Sequence, residues 1–434
     1  MSDTGGGMRT RVRRALAVLL GVAMVAGVLP AGLTAAPAEQ AAPGYELWAV
    51  DQADAANGGA MLFIWRGDQL VGATPGGPPE VVDLQAAATG VGDGPGVRPH
   101  LLLFNNNHSH GILAAVASGH VLFIRGSDRR VVSSIDVGDQ AHGAVPAPDD
   151  SYVLVANQNG KRLARIRSDF AREQFTYEPQ ADLDLAALED EDHPDNAPIC
   201  PLIFGVGTNK AYVSVRGGGL YIVDAAATPM RVLREYDRSQ VAPAGCGGVA
   251  LRDKVYLNSG TPNTSDLYVL DPRTDEMVKH IPLSNVGGDA HGLVLTGGGR
   301  YLWMGLRASG NMVVIDTETD EIETVFTLGS GAGRRPAVPG AAPDLMDVTP
   351  GAGRPLDCQP SSTPMCMAPG GDRVFVSMRG PRPLTGGSGA AGDRTGIEVL
   401  RVEGDGRFGL RAAFIPIGED AADVHALAIR VLGR

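Results

Sequence analysis

Apolar positions along this chain come in short runs, bounded every few residues by Gly, Asp or Asn. The stretches AHGAVPAPDDSYVLVANQNGKRLARI (141–166), CPLIFGVGTNKAYVSVRGGGLYIVD (200–224), CGGVALRDKVYLNSGTPNTSDLYVLD (246–271) and AHGLVLTGGGRYLWMGLRASGNMVVID (290–316) follow one plan. Each has an apolar strand, a turn, a second apolar strand, another turn and a third strand that often ends in Asp. A fourth strand with alternating polarity follows, as in VVSSIDV (131–137), RVLREY (231–236), MVKHIPL (277–283) and EIETVFTL (321–328). Four short strands per repeat of roughly 40–46 residues predict an all-β propeller, each repeat forming one blade that buries its faces against its neighbours.

The repeat predicts seven blades. Residues 99–137, 141–178, 199–238, 245–284 and 290–328 form five, and 343–417, with an insertion, forms a sixth. The C-terminal stretch 423–431 reads as an innermost strand with no followers, whereas 45–52, 60–65 and 79–84 are followers with no leader. Together they predict a seventh blade that closes the ring and leaves no free sheet edge. Residues 39–434 are therefore expected to be one seven-bladed propeller, with insertions near 181–195, 329–342 and 349–365 read as inter-strand loops.

The strands YVLVANQNGKRLARI and YLWMGLRASGNMVVID resemble the YVTN-type repeats of YncE-like seven-bladed propellers, and the likeness covers residues 45–434. The resemblance implies the fold far more than an activity. Related propellers include lactonases, a streptogramin lyase and metal carriers, and no catalytic residue transfers by motif.

Composition narrows the function classes. The 434 residues carry a formal net charge of -12, which argues against nucleic acid as a partner, and 59 Gly without a triplet period fit a turn-rich β protein. Residues 1–38 read as a secretory signal peptide. Arg9, Arg11, Arg13 and Arg14 precede the apolar stretch Ala15–Leu29, and Ala36-Pro37-Ala38 offers a cleavage site. A secreted, periplasmic or cell-surface protein without a membrane span is expected. Export permits disulfides, so Cys358 and Cys366 are expected to clamp a short loop. For Cys200 and Cys246 a disulfide, thiolate ligation and separate thiols all stay open.

Registry places the candidate chemistry. Blade starts carry His100, His142, Cys200, Cys246, His291 and His425, with the sixth blade open between Asp344 and 363–366. Second-turn positions carry Gln158, Arg216, Arg307 and Arg379, and His120 begins a third strand on the same face. His100, His142, His291 and His425 are candidate ligands for one transition-metal ion (Zn, Cu or Fe), against a mouth in which they only hydrogen-bond water or neighbouring loops. Arg216, Arg307 and Arg379, with His120 and Gln158, are candidates for holding a small anionic ligand, against guanidiniums that brace their own loops or pair with acidic neighbours. His108-Ser109-His110 and the acidic stretch 189–195 read as a turn and a solvated loop. The sequence thus predicts an exported binding protein with a His/Arg-lined channel mouth. The alternatives are a metal-dependent lactonase, lyase or oxidoreductase, and a cell-surface interaction platform.

Overall fold

The structure, a computed structural model, describes residues 44–53, 60–199, 203–328, 340–351, 371–386 and 390–433. Every described residue lies in one compact unit, Gln40–Arg434. That unit is a seven-bladed β-propeller. Six sheets have four antiparallel strands, and one has a fifth, short strand added.

The expected ring closure is present. Val424–Val431 is the innermost strand of a sheet continued by Tyr45–Asp51, Met61–Arg66 and Glu80–Asp83. Tyr45 pairs with Val431 and Trp48 with Ala428, so the two ends of the propeller unit are held by one ladder. Glu46 receives the guanidinium of Arg430 from its own blade at 3.1 Å and that of Arg129 from the next at 2.6 Å, which ties the two blades together.

Burial follows the polarity pattern. Innermost strands such as Ala141–Pro146 and Ala290–Thr296 are buried throughout, while the outermost strands Arg231–Tyr236 and Glu276–Pro282 keep most residues at the surface. Neighbouring blades are also tied by ion pairs repeated in register. Lys210 reaches Asp275, and Lys254 reaches Asp320 one blade further on, each at 2.7 Å.

Most of 189–195 is exposed, as a solvated loop should be, but the longer stretch 181–195 also takes part in the fold. Leu183–Asp184 adds a fifth strand beside Arg162–Leu163, Glu189 and Asp195 both pair with Lys161, and His193 is buried. The cations of the neighbouring turn recruit these carboxylates, a tertiary effect that local polarity does not reveal. His108 and His110 are likewise structural. His108 Nδ1 accepts the Val431 N–H at 3.1 Å, and His110 Nε2 meets Glu173 at 3.1 Å. Among the described residues no helix is long and apolar enough to cross a membrane. Cys200, Cys358 and Cys366 lie outside the described residues, and with them the expected Cys358–Cys366 disulfide. Cys246 is buried and disulfide-bonded.

Candidate functional site

Five of the seven innermost strands carry a polar side chain at their second residue: His100 in Pro99–Phe104, His142 in Ala141–Pro146, His291 in Ala290–Thr296, Asp344 in Pro343–Val348 and His425 in Val424–Val431. At each of these residues the pairing with the second strand slips by one. A β-bulge releases the extra residue from the ladder and re-aims its side chain. Here five bulges in register bring the five side chains together, and Asp344 is resolved as the sixth blade's contribution.

The bulges are held from outside by a second repeated device. Arg98, Gln140 and Asp289, each two residues before a His, adopt left-handed backbone with φ of 60°, 73° and 63°. Their carbonyls accept the N–H of Val116, Gln158 and Arg307 at 2.8, 2.9 and 3.0 Å. Each of these acceptor–donor pairs pins a second turn beside a strand start, which is why both sets of positions converge.

Asp344 is the hub. His425 Nδ1 lies 2.6 Å from its Oδ2 and His291 Nδ1 2.6 Å from its Oδ1, while Arg379 and Arg307 approach the same carboxylate at 2.7 and 3.4 Å. Arg307 also forks onto Asp289 at 2.8 and 3.0 Å, and Arg379 forks onto Asp423. This network sets three carboxylates against two guanidiniums. One negative charge is left over in a site where Asp344 has no exposure at all.

The imidazoles do not supply the missing charge by themselves. Burial lowers all four: His142 falls to about 3, His291 to about 4, His100 goes well below its ordinary value, and His425 is lowered despite the opposing pull of Asp344. Burial alone would raise the Asp344 carboxyl, but the facing His425, His291, Arg379 and Arg307 hold it well below the usual range.

Gln52 Nε2 is 3.4 Å from Asp423 Oδ2 and 3.1 Å from Thr385 Oγ1, which turns its carbonyl oxygen to His100 Nδ1 at 3.0 Å. His100 Nε2 then faces His425 Nε2 at 3.1 Å, and His425 Nδ1 faces Asp344. Three such gaps need three protons, and two neutral imidazoles carry two. The row from Gln52 to Asp344 therefore has room for one more cation. His291 approaches the same carboxylate from the other side, its Nδ1 2.6 Å from Asp344 Oδ1. One ligand atom each from His291, Asp344 and His425 lies within 4.8 Å of the others, a separation one ion can bridge.

Above the cluster lies a cavity of about 360 Å³ whose wall includes His100, His142, His291 and His425. Gln158, Arg216 and Arg307 line it too, as registry predicts, and Asp195 holds Arg216 at 2.6 Å. Two predicted ligand-binding residues stand elsewhere. Arg379 is fully buried beneath the mouth, with its guanidinium taken up by Asp344, Asp423 and the Thr385 carbonyl. His120 is absent from the wall, and its ring nitrogens face the carbonyls of Ser118 and Asp93 at 2.8 and 3.3 Å. Sequence reading passed over Gln52, Arg98, Gln140, Asp289, Thr385 and Asp423. The one signal for four of them was the recurrent place two residues before a strand-start His, occupied by Arg98, Gln140, Asp289 and Asp423.

The depressed imidazoles set a pH dependence. In the window below 6.5 the unfolded chain protonates His142 and His291 while the folded chain does not, so the unfolded state binds more protons and stability falls with acid. Metal-free protein in chelator is expected to lose on the order of a few kcal/mol between pH 6.5 and pH 4.5, with no further change from these groups above 6.5. Urea midpoints across that window measure it, and a flat profile would show that the rings are not buried neutral.

No family model matches the chain, and no curated protein matches it. Solved structures share its fold. The periplasmic gluconolactonase of Pseudomonas aeruginosa aligns with a TM-score of 0.56 at 13% identity, over 90% of this chain and 99% of that one. A protein from Lactobacillus plantarum gives 0.56 at 10% identity over 90% and 99%, and a functionally unknown protein from Desulfotomaculum acetoxidans gives 0.55 at 10% over 89% and 98%. At these identities the likeness is one of fold.

Proposed function

We propose that this chain is an exported, metal-binding propeller of the YncE-like kind, holding one transition-metal ion (Zn, Cu or Fe) between His291, Asp344 and His425 at the floor of the channel mouth. The observation that carries the reading is the convergence of one ligand atom each from His291, Asp344 and His425 within 4.8 Å of one another, in a buried network with one negative charge in excess. Neutral imidazoles and an ionised carboxylate are the ligand forms such an ion requires. His100 and Gln52 would orient His425 from behind, and Arg379 would keep Asp344 ionised.

A second reading, a metal-dependent enzyme, is favoured by one feature. His291 and His425 line the cavity, so an ion held there would face a space that water or a substrate can enter. A gluconolactonase and a streptogramin B lyase are among the proteins that share the fold.

Protein stripped by chelator is expected to take up one equivalent of Co(II) or Zn(II), with a visible Co(II) spectrum reporting nitrogen and oxygen ligands. His291→Ala and His425→Ala should each weaken uptake by on the order of 100-fold, and His120→Ala should leave it unchanged. Uptake that survives both alanine variants would refute the site. Turnover of lactones that appears only with bound metal would select the enzyme reading over simple binding.

A further inference from the structure

The cavity wall presents three guanidiniums, Arg98, Arg216 and Arg307, and among the described residues no carboxylate, in a chain whose net charge is -12. Two of the three are committed. Arg216 gives Nε and Nη2 to Asp195, and Arg307 gives the same atoms to Asp289. Arg98 differs, because its side chain forms no hydrogen bond or ion pair with any described residue, and its Nε is shielded from water and unpartnered. Its Nη groups are not among the buried polar atoms and meet no carboxylate of the described residues, so this end of the guanidinium is open to a ligand's oxygens.

The backbone that presents Arg98 is strained. Its φ of 60° is a left-handed conformation that a residue with a Cβ rarely adopts, and Pro99 follows it. The Val116 N–H bonded to the Arg98 carbonyl at 2.8 Å holds it there, with Arg98 on the wall two residues before His100. Gln140 and Gln158 on the neighbouring blade add neutral amides to the same wall, and Val116, Ile199 and Leu384 give it apolar flanks.

We infer that Arg98 is the anchor of a small oxyanion site, taking a carboxylate or a phosphate in a two-pronged contact inside this cavity. Arg98, the wall guanidinium with no carboxylate partner among the described residues, selects an anion, and the volume of about 360 Å³ restricts it to a small molecule. The site shares the mouth with the imidazole cluster but uses none of the metal ligands, so it stands whether or not an ion is bound below.

Titration calorimetry of chelator-stripped and Zn(II)-treated full-length protein, with malonate and with inorganic phosphate at low salt, tests this. Saturable 1:1 binding of at least one probe to the stripped protein is expected, and the probe that binds more tightly identifies the source as carboxylate or phosphate. Arg98→Gln should weaken it by tenfold or more, and exposed Arg130→Gln should leave it unchanged. Arg98→Gly is the second variant, since it relieves the left-handed backbone while deleting the guanidinium, and should fold at least as stably yet lose the anion. Binding that persists in both Arg98 variants, or no binding of either probe, overturns the inference. Failure of metal uptake at His291 and His425 would leave these outcomes unaffected.

Discussion

Deleting residues 423–434 is expected to abolish the folded propeller. Val424–Val431 is the innermost strand of the closing blade, and Ala426, Leu427, Ala428, Ile429 and Val431 on it are all buried. At about 1.5–3 kcal/mol for each large apolar side chain, their loss alone removes a sizeable share of the 5–15 kcal/mol that holds a typical domain together. Polar consequences add to it. Asp347, fully buried, loses the Ile429 N–H that it accepts at 2.7 Å, and Arg379 loses its fork onto Asp423. Tyr45–Asp51 would become an open edge, free to pair with other chains. Size-exclusion chromatography and thermal melting should show aggregated material without a cooperative transition. A truncated chain that stays monomeric and melts like the parent would mean that closure contributes little.

Arg379→Ala should be among the most destabilising single substitutions, costing about 3–5 kcal/mol, although the residue was expected to hold a ligand. Its guanidinium is buried between Asp344 and Asp423, and burial, which would lower its proton affinity, is overcome by those two carboxylates. Removing it leaves two buried anions with a single remaining guanidinium nearby, on Arg307. Asp344 can recover by taking a proton or by passing it to His425, so the variant should regain part of its stability at lower pH, where the parent loses it. Denaturant unfolding at pH 7.5 and pH 5.5 measures both effects. A loss under 1 kcal/mol at pH 7.5 would mean that the network is not electrostatically coupled, and an equal loss at the two pH values would mean that only packing was removed.

Much of the architecture was legible in the chain. Strand polarity of period two, turns at fixed intervals and two incomplete sets of strands at the ends are local properties, and they determine seven blades and the way the ring closes. The convergence of His100, His142, His291 and His425 was legible for the same reason, since matched places in a repeat occupy matched places around an axis. Asp344 was only half visible, because it occupies the His position in the one blade with a long insertion.

What the sequence could not decide is how charges pair across blades. Arg216, Arg307 and Arg379 look alike in the repeat, yet Arg216 forks onto Asp195 from a loop, Arg307 onto Asp289 of its own blade and Arg379 onto Asp423 of the next. Arg98, at the place that Gln140, Asp289 and Asp423 take in their blades, is the cavity-wall guanidinium without a partner among the described residues. The bulges that turn each strand-start side chain inward are one-residue slips with no composition of their own. A repeat defines directions from the axis, but whether a side chain there braces, binds or stays unpartnered depends on which neighbour comes within about 3 Å, and that distance exists only once the ring has closed.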